Sequence, residues 1–155
     1  MPAIALDASI ADDVVAFLDE HLADMRSVSP PESVHALDVA ALRAEGMRLW
    51  VLRGDDGSVA GTVALAPIAG EPGHVELKSM RVAGASRGGG LGRLLLDHVL
   101  AEAAAGGATR MSLETGAEPY FAPARALYLR SGFAVCEPFG SYALDPCSLF
   151  MTRAI

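Results

Sequence analysis

The fold is decided around the run Arg87-Gly88-Gly89-Gly90-Leu91-Gly92. A strand-like segment, residues 75–82, precedes this run, and a helix-like segment follows it to about residue 105. A second strand-like segment then spans residues 110–115. Strand, glycine loop, helix and strand make a βαβ unit, in which we expect the two strands to be parallel and joined by a right-handed crossover.

The glycine loop of this unit has the properties of an anion-binding site. Glycine tolerates positive φ angles and lets a ligand approach the bare backbone. The helix that begins directly behind the loop points its free N–H groups and the positive end of its dipole at the same place. We therefore expect the loop to bind a phosphate group.

Two common phosphate-binding motifs do not fit this loop. A P-loop requires a lysine after its last glycine, and no lysine follows any of these glycines. A dinucleotide-binding motif that starts at Gly88 would place its third glycine at Arg93. The pattern that fits is R-x-x-G-x-G, which resembles the pyrophosphate loop of the GNAT family of N-acetyltransferases. Members of that family bind acetyl-coenzyme A, although a glycine-rich turn of this kind also occurs for structural reasons alone.

Composition limits the classes of protein to which the chain can belong. A length of 155 residues with 52% hydrophobic residues fits one globular domain, residues 1–155. No apolar run reaches membrane-spanning length, and the acidic N-terminus does not resemble a signal peptide. Cys136 and Cys147 lack the spacing of metal ligands, so we expect reduced cysteines, no metal and a cytoplasmic location. The formal charge of −7 argues against nucleic-acid binding and weakly favours cationic substrates.

The remaining segments complete an α+β pattern. We predict helices over about residues 10–26 and 119–131 and a helix or helix pair over residues 30–45. Strands are predicted over residues 3–6, 47–53, 59–67, 133–137 and 148–153. The turn sequence Asp55-Asp56-Gly57-Ser58 favours a hairpin between the second and third strands. This order predicts an antiparallel first half with one parallel pair near the middle of the sheet.

A second motif, A-R-A-L-Y-L-R-S-G-F, occupies residues 124–133. It is similar to the GNAT segment A-x-x-L-Y-x-x-x-G-F, and the two motifs occur in the order that the family has. The resemblance implies the GNAT fold, with a mixed central sheet of about six to seven strands and about four helices. It also implies an acetyl-CoA-dependent N-acetyltransferase, in which a primary amine attacks directly in a ternary complex. The alternative is an acyl-CoA-binding sensor or regulatory module on the same fold.

The resemblance also assigns the residues that hold acetyl-CoA. In the family, the backbone of the strand before the loop pairs with the pantetheine arm, and the loop amides bind the pyrophosphate. Arginines beside the loop assist electrostatically, unless they are solvated surface charges. The matching positions are Met80, Arg81, Val82, Arg87, Gly88, Gly89, Gly90, Leu91, Gly92 and Arg93.

Two side chains are predicted to be catalytic. Tyr128 matches the tyrosine that serves as general acid in many GNAT enzymes, and its alternative is a half-buried helix tyrosine. Glu76 lies eleven positions before the loop, where histone-acetylating members carry their general base. Its alternative is an ion pair with Lys78 on the same strand face, which would leave Glu114 or a water relay as the base. Many members have an asparagine seven residues before the tyrosine, where this chain has Phe121.

The acceptor side is the least explicit part of the sequence. Glu32, His35 and Asp38 are the polar candidates for an amine pocket that the first two helices and a loop around Tyr142 would form. Glu32 has an alternative role as the capping-box partner of Ser29. We expect the acceptor to be a small molecule or a peptide, with no nucleic-acid or membrane partner, and we allow for a homodimer.

Overall fold

The computed structural model describes residues 2–34 and 39–155, which form one seven-stranded sheet with helices packed on both faces. The strands are β1 (Ala3–Leu6), β2 (Arg48–Arg53), β3 (Val59–Pro67), β4 (His74–Val82), β5 (Arg110–Gly116), β6 (Ala134–Cys136) and β7 (Ser148–Ala154). The α-helices are α1 (Asp12–Val28), α2 (Val39–Leu42), α3 (Leu91–Ala105) and α4 (Ala122–Arg130). Within the described ranges, no helix is both long enough and apolar enough to cross a membrane.

The strand order across the sheet is β1-β2-β3-β4-β5-β7-β6. Only β4 and β5 pair in parallel, and all other neighbours in this sheet are antiparallel. The mixed α+β sheet and the βαβ unit at its centre are therefore confirmed. The predicted third strand and the helix behind the glycine loop have the observed bounds of β3 and α3.

The capping box predicted at Ser29 is wrong, and the predicted second helix or helix pair is shorter than expected over the described residues. It consists there of a 3-10 turn, Pro31–Ser33, and one turn of α-helix, Val39–Leu42. The residue before the 3-10 turn is Pro30, which has no side-chain hydrogen bond to it. The Ser29 hydroxyl instead donates to Glu118 Oε1 at 3.1 Å, so a long-range partner takes the place of the local cap.

Two apolar layers hold the helices to the sheet. On one face, α3 buries Leu95 and Leu96 against β2, β3, β4 and β5. On the other face, α1 buries Val14 and Leu18 beside α2. Strand residues alternate between the two layers, because successive side chains of a strand point to opposite faces. Strands β2 and β3 are thus apolar on both sides, and burial on this scale fixes their register.

A β-bulge interrupts this alternation in β4. Ser79 has a φ of 52°, and the pairing of β4 with β3 shifts register at this point. The buried Thr62 hydroxyl donates to the Ser79 carbonyl at 2.8 Å and holds the bulge in place. Because of the extra residue, Met80 and Val82 pack on the α3 side together with Leu77. Bulges of this kind re-aim side chains next to functional sites.

Strands β4 and β5 diverge close to the bulge. Their pairing begins at His74 and Arg110 and ends at Leu77 and Leu113. Beyond Leu77, the edge of β4 that faces β5 has no strand partner among the described residues, whereas its other edge continues to pair with β3. The divergence opens the sheet directly in front of the glycine loop.

Close packing under this opening makes Gly61 a sensitive position. A Cβ atom at Gly61 would lie 2.7 Å from Leu95 Cδ1 and 2.9 Å from the Arg81 carbonyl oxygen. We predict that Gly61→Ala lowers the free energy of unfolding by about 1–3 kcal/mol, the usual cost of overpacking a core. Urea titration measures this loss, and Gly84→Ala is the matched control because a Cβ there would meet nothing within 4 Å. Equal midpoints for the two variants would contradict the packing described for β3 and α3.

Candidate active site

An inner cleft of about 90 Å³ lies where β4 and β5 diverge. Its walls come from α1, β4, β5, α4 and the turn before α4. The residues that line it are His21, Met25, Glu76, Leu77, Lys78, Ser79, Met80, Glu114, Thr115, Phe121, Ala124 and Tyr128. The cleft therefore brings together both predicted catalytic residues, the rival base Glu114 and the first residue of the predicted pantetheine strand.

The glycine loop leads from this cleft to the N-terminus of α3. Gly88 and Gly90 have φ angles of 83° and 79°, in the left-handed region that favours glycine. A Cβ atom at either position would meet nothing within 4 Å, so the space in front of the loop is open. Gly90 is also the N-cap of α3 and has no side chain to occupy the first amides of the helix. The loop therefore offers free N–H groups and the positive end of a helix dipole to a ligand.

The two arginines beside the loop have different surroundings. Arg93 Nε donates to both carboxylate oxygens of Asp97, at 2.9 and 3.1 Å, along the exposed side of α3. Arg87 Nε donates to the Val82 carbonyl at 3.2 Å, and this contact keeps an exposed guanidinium close to the end of β4. Arg87 is thus the better placed of the two to meet a ligand that spans the strand and the loop.

The side chain of Arg81 packs against α1. It is only 5% exposed and forms ion pairs with Glu20 at 3.1 Å and Asp24 at 2.9 Å. The guanidinium also lies over the ring of Phe17, 5.2 Å from its centroid. Any contact of Arg81 with a ligand must therefore come from its backbone, which is the contact that the resemblance predicts.

Glu76, Lys78 and Tyr142 form a closed ring of hydrogen bonds, hereafter the Glu76 ring. Lys78 Nζ donates to Glu76 Oε2 at 3.1 Å and to the Tyr142 hydroxyl at 2.8 Å. The Tyr142 hydroxyl donates to the same Glu76 oxygen at 2.5 Å. The ion pair between Glu76 and Lys78 is therefore present as predicted, and Tyr142 reaches it from the loop before β7. Burial raises the pKa of Tyr142, and the charge of Glu76 adds to this effect.

Glu114 has a different environment, although it lines the same cleft. Burial raises the pKa of its carboxyl from 4.5 to about 7, and hydrogen bonding and the charge of Lys78 oppose the shift only in part. A carboxyl with a pKa near 7 is suited to proton transfer at neutral pH. Of the two carboxylates predicted as candidate bases, Glu114 has a pKa raised to about 7, and Glu76 forms an ion pair with Lys78.

Tyr128 lies on the α4 side of the inner cleft and is 5% exposed. Burial raises the pKa of its hydroxyl, and the charge of Glu114 raises it further, so the group stays protonated. Arg125 Nη1 anchors α4 to the end of β5, because it donates to the carbonyls of Gly116 and Glu118 at 2.8 Å each. These two hydrogen bonds fix the position of α4, and with it Tyr128, relative to the end of β5.

Phe121 occupies the position where many GNAT members have asparagine. Its side chain is buried, and its ring lies against the backbone of Gly116 so closely that a Cβ there would come within 2.0 Å of the ring. Phe121 thus supplies an apolar wall of the cleft and packs the end of β5.

Sequence reasoning missed His21. This residue of α1 lines the inner cleft, and burial, helped by the charge of Arg81, lowers the pKa of its imidazole to about 4. It is therefore neutral at physiological pH. The signal was present in the sequence, because His21 follows Phe17 by four residues and Leu18 by three, on the buried stripe of α1.

Of the predicted acceptor residues, the structure describes Glu32 alone. Glu32 is exposed in the 3-10 turn and does not line the inner cleft. His35 and Asp38 lie outside the described residues. The contact that joins this turn to the rest of the site is made by Ser33, whose hydroxyl donates to Asp145 Oδ2 at 2.7 Å.

Comparison with known proteins agrees with this geometry. Residues 14–133 match the model of the acetyltransferase (GNAT) family. The chain belongs to the GNAT family. It is 40% identical over 153 residues to a Bacillus subtilis (strain 168) protein described as the uncharacterized N-acetyltransferase YsnE, covering 98% of this chain and 99% of that protein.

Two further comparisons cover almost the whole of this GNAT acetyltransferase. It is 40% identical over 152 residues to an IAA acetyltransferase of Azospirillum brasilense, with 98% of this chain and 97% of that protein covered. A crystal structure from Klebsiella pneumoniae, provisionally assigned as an acyl-CoA N-acyltransferase, matches with a TM-score of 0.83 and 26% identity. That match covers 99% of this chain and 97% of the other. These relatives establish the fold and the acetyltransferase class.

The residues present fit the acyl-CoA donors that GNAT enzymes use. The glycines with positive φ and the amides of α3 that have no side-chain cap leave open space that a pyrophosphate would fit. The unpaired edge of β4 offers backbone groups to an extended arm that adds alongside the strand. A ligand that is anionic at one end and amide-bearing along its length matches both features.

The raised pKa of Glu114 predicts a specific dependence of stability on pH. A carboxyl whose pKa is higher in the folded than in the unfolded state favours folding below about pH 4.5 and loses that contribution as the pH rises through about 7. Relative to Glu114→Gln, the wild type should therefore lose up to about 3 kcal/mol of unfolding free energy between these limits. Urea titrations from pH 4.5 to 8 measure the difference, with Glu45→Gln, at an exposed position of the turn after α2, as control. A constant difference would show that Glu114 titrates normally.

Proposed function

We propose that this GNAT enzyme is an acetyl-CoA-dependent N-acetyltransferase that acetylates the primary amine of a small molecule or peptide by direct attack in a ternary complex. The observation that carries the proposal is the presence of Glu114 and Tyr128 in the walls of one cleft. One carboxyl titrates near neutrality, and one hydroxyl stays protonated. Acyl transfer to an amine requires such a proton acceptor and such a proton donor.

A cytoplasmic location is part of the proposal, supported by the unpaired state of Cys136 and Cys147.

Binding and orientation are assigned to backbone groups. The amides of residues 88–92 would hold the pyrophosphate of acetyl-CoA, with Arg87 beside them. The backbone of Met80, Arg81 and Val82 would hold the pantetheine arm along the free edge of β4. When bound, acetyl-CoA supplies an acetyl thioester, and the C–N bond to the acceptor forms as the C–S bond breaks. Holding the reactants in this geometry accounts for a large part of the rate enhancement.

Glu114 is the better-supported base. An amine attacks only when neutral, and a carboxylate with a pKa of about 7 can accept its proton and release it again near neutral pH. Glu76 has its Oε2 atom engaged by Lys78 and Tyr142, so its role is to fix the cleft wall and its charge. The charge of Lys78 neutralises that of Glu76, and Glu114 remains available to exchange a proton with the substrate.

Tyr128 is the proposed proton donor to the departing sulfur. Its burial in the cleft wall and its raised pKa both support a hydroxyl that stays protonated until the C–S bond breaks. Glu114 accepts the proton of the amine, and Tyr128 gives its own proton to the sulfur as the thiol leaves. Proton exchange with solvent then returns both side chains to their starting states.

The loop assignment predicts the behaviour of Gly90→Asp. Coenzyme A should raise the melting temperature of the wild type, because a ligand that binds the native state stabilises it. In Gly90→Asp this shift should be lost, since the variant adds a negative charge where phosphate is proposed to bind and strains a φ of 79°. The control is Gly107→Asp, which imposes comparable strain at a φ of 90° just beyond the C-terminal end of α3, the other end of that helix from the loop. A full shift in folded Gly90→Asp would contradict the phosphate site.

The assignment of the acid predicts that Tyr128→Phe retains coenzyme A binding but loses turnover by about 10²-fold or more. The hydroxyl is removed while the ring contact with Phe133, 5.9 Å between centroids, is kept. Thiol release and isothermal titration measure the two quantities. Turnover close to the wild-type value would make Tyr128 a packing residue and leave water as the proton donor.

The assignment of the base predicts different pH profiles for two matched variants. Glu114→Gln should lower kcat by about 10²-fold and remove the rising limb of kcat near pH 7, because an amide cannot accept a proton. Glu76→Gln should lower activity through a disturbed cleft wall while the limb remains. The opposite result, a limb lost only in Glu76→Gln, would return the role of base to Glu76.

A further inference from the structure

A second, larger cleft meets the inner cleft at the Glu76 ring. This outer cleft has a volume of about 610 Å³, within the range of small-molecule sites. Its lining residues come from the end of β3, the β3–β4 turn, β4 and the loop before β7, and they include Tyr142. Glu76 and Lys78 line both clefts, so the ring forms the wall between them.

The outer cleft is apolar along one side. Ala66, Pro67, Ile68 and Ala69 form a continuous stretch of this wall at the end of β3. The ring of Tyr142 faces the cleft from the opposite loop, where Phe139 supports it with a centroid distance of 5.2 Å. Such walls favour an occupant with an apolar body.

The charges of the outer cleft discriminate between substrates. Lys78 is the only lysine of the chain and the only lysine or arginine among the described residues that line this cleft. Its side chain is 10% exposed, and its ammonium is already held by Glu76 and Tyr142. Glu71, whose side chain is 49% exposed, adds a carboxylate at the rim next to His74. The lining therefore attracts a cation and has no spare counter-ion for an anion.

We infer that the acceptor is a small primary amine with an apolar body and no carboxylate, bound in the outer cleft. The inference rests on the proposed N-acetyltransferase function. The body lies along residues 66–69, Glu71 attracts the incoming ammonium, and the amine reaches past the Glu76 ring to Glu114. A free amino acid would bring a carboxylate to a cleft whose one ammonium is committed, and leaving that charge unpaired is costly.

The test compares acceptors that share one body. Initial rates of thiol release are measured with acetyl-CoA and 2-phenylethylamine, L-phenylalanine, L-phenylalaninamide or a tripeptide amide with an N-terminal phenylalanine. The expected result is that kcat/KM for 2-phenylethylamine exceeds that for L-phenylalanine at least about 10-fold, with the amide closer to the amine. Equal or better use of L-phenylalanine, or turnover of the tripeptide alone, would overturn the inference and leave the N-acetyltransferase function standing.

A variant pair tests the role of Glu71 separately. Glu71→Gln should raise the KM for 2-phenylethylamine several-fold while the KM for acetyl-CoA and kcat stay unchanged, as expected for lost attraction of the acceptor alone. Glu102→Gln removes the same charge from α3 and should change neither constant. An unchanged amine KM in Glu71→Gln would overturn the assignment of this carboxylate.

Failure of the underlying function has a different signature. If coenzyme A raises the melting temperature but no amine of the panel releases thiol, the acceptor assignment is overturned. The N-acetyltransferase proposal itself is overturned if aliphatic amines, polyamines and peptides release no thiol either. Release of thiol with any amine supports the function, and the ranking of the amines then decides the acceptor class.

Discussion

The divergence of β4 from β5 is the constraint on which the rest of the molecule depends. Four residue pairs join the two strands, and the bulge at Ser79, held by Thr62, then turns β4 away. One edge of β4 is left without a strand partner among the described residues, which is costly for buried backbone groups unless something else meets them. A ligand with amides along its length can meet them, and the glycine loop stands where its anionic end would lie. The cleft and the loop are thus two consequences of one departure from regular pairing.

The two glutamates that line this cleft have different surroundings. Glu76 is balanced by Lys78 and tied to Tyr142, whereas burial raises the pKa of Glu114 to about 7. Because the only lysine of the chain is used on Glu76, Glu114 is left to exchange protons. The same arrangement explains why the outer cleft favours a cation. The ion pair of Lys78 with Glu76 therefore bears on both proposals, the choice of the base and the class of the acceptor.

What could be predicted from the sequence is what is encoded locally. The spacing of the glycines before an apolar helix predicts the loop, α3 and the parallel pair, and the motif around Tyr128 predicts α4. The predictions that failed or were incomplete concern partners far apart in the chain. Ser29 is predicted to be a helix cap, but its hydroxyl donates to Glu118, 89 positions away. Tyr142 completes the Glu76 ring from 66 positions away, and no local pattern reveals the bulge at Ser79. The single-domain reading and the roles of Glu32 and His35 stay predictions.

The central claim is that the free edge of β4 and the glycine loop hold one extended acyl-CoA. Backbone amide hydrogen exchange with and without coenzyme A tests it most directly, because exchange slows wherever a ligand engages or covers an amide. The account predicts slower exchange in residues 80–82 and 88–92 together, with β6 at the far edge of the sheet unchanged. Protection of the loop without β4, or of β6 in place of both, would contradict it.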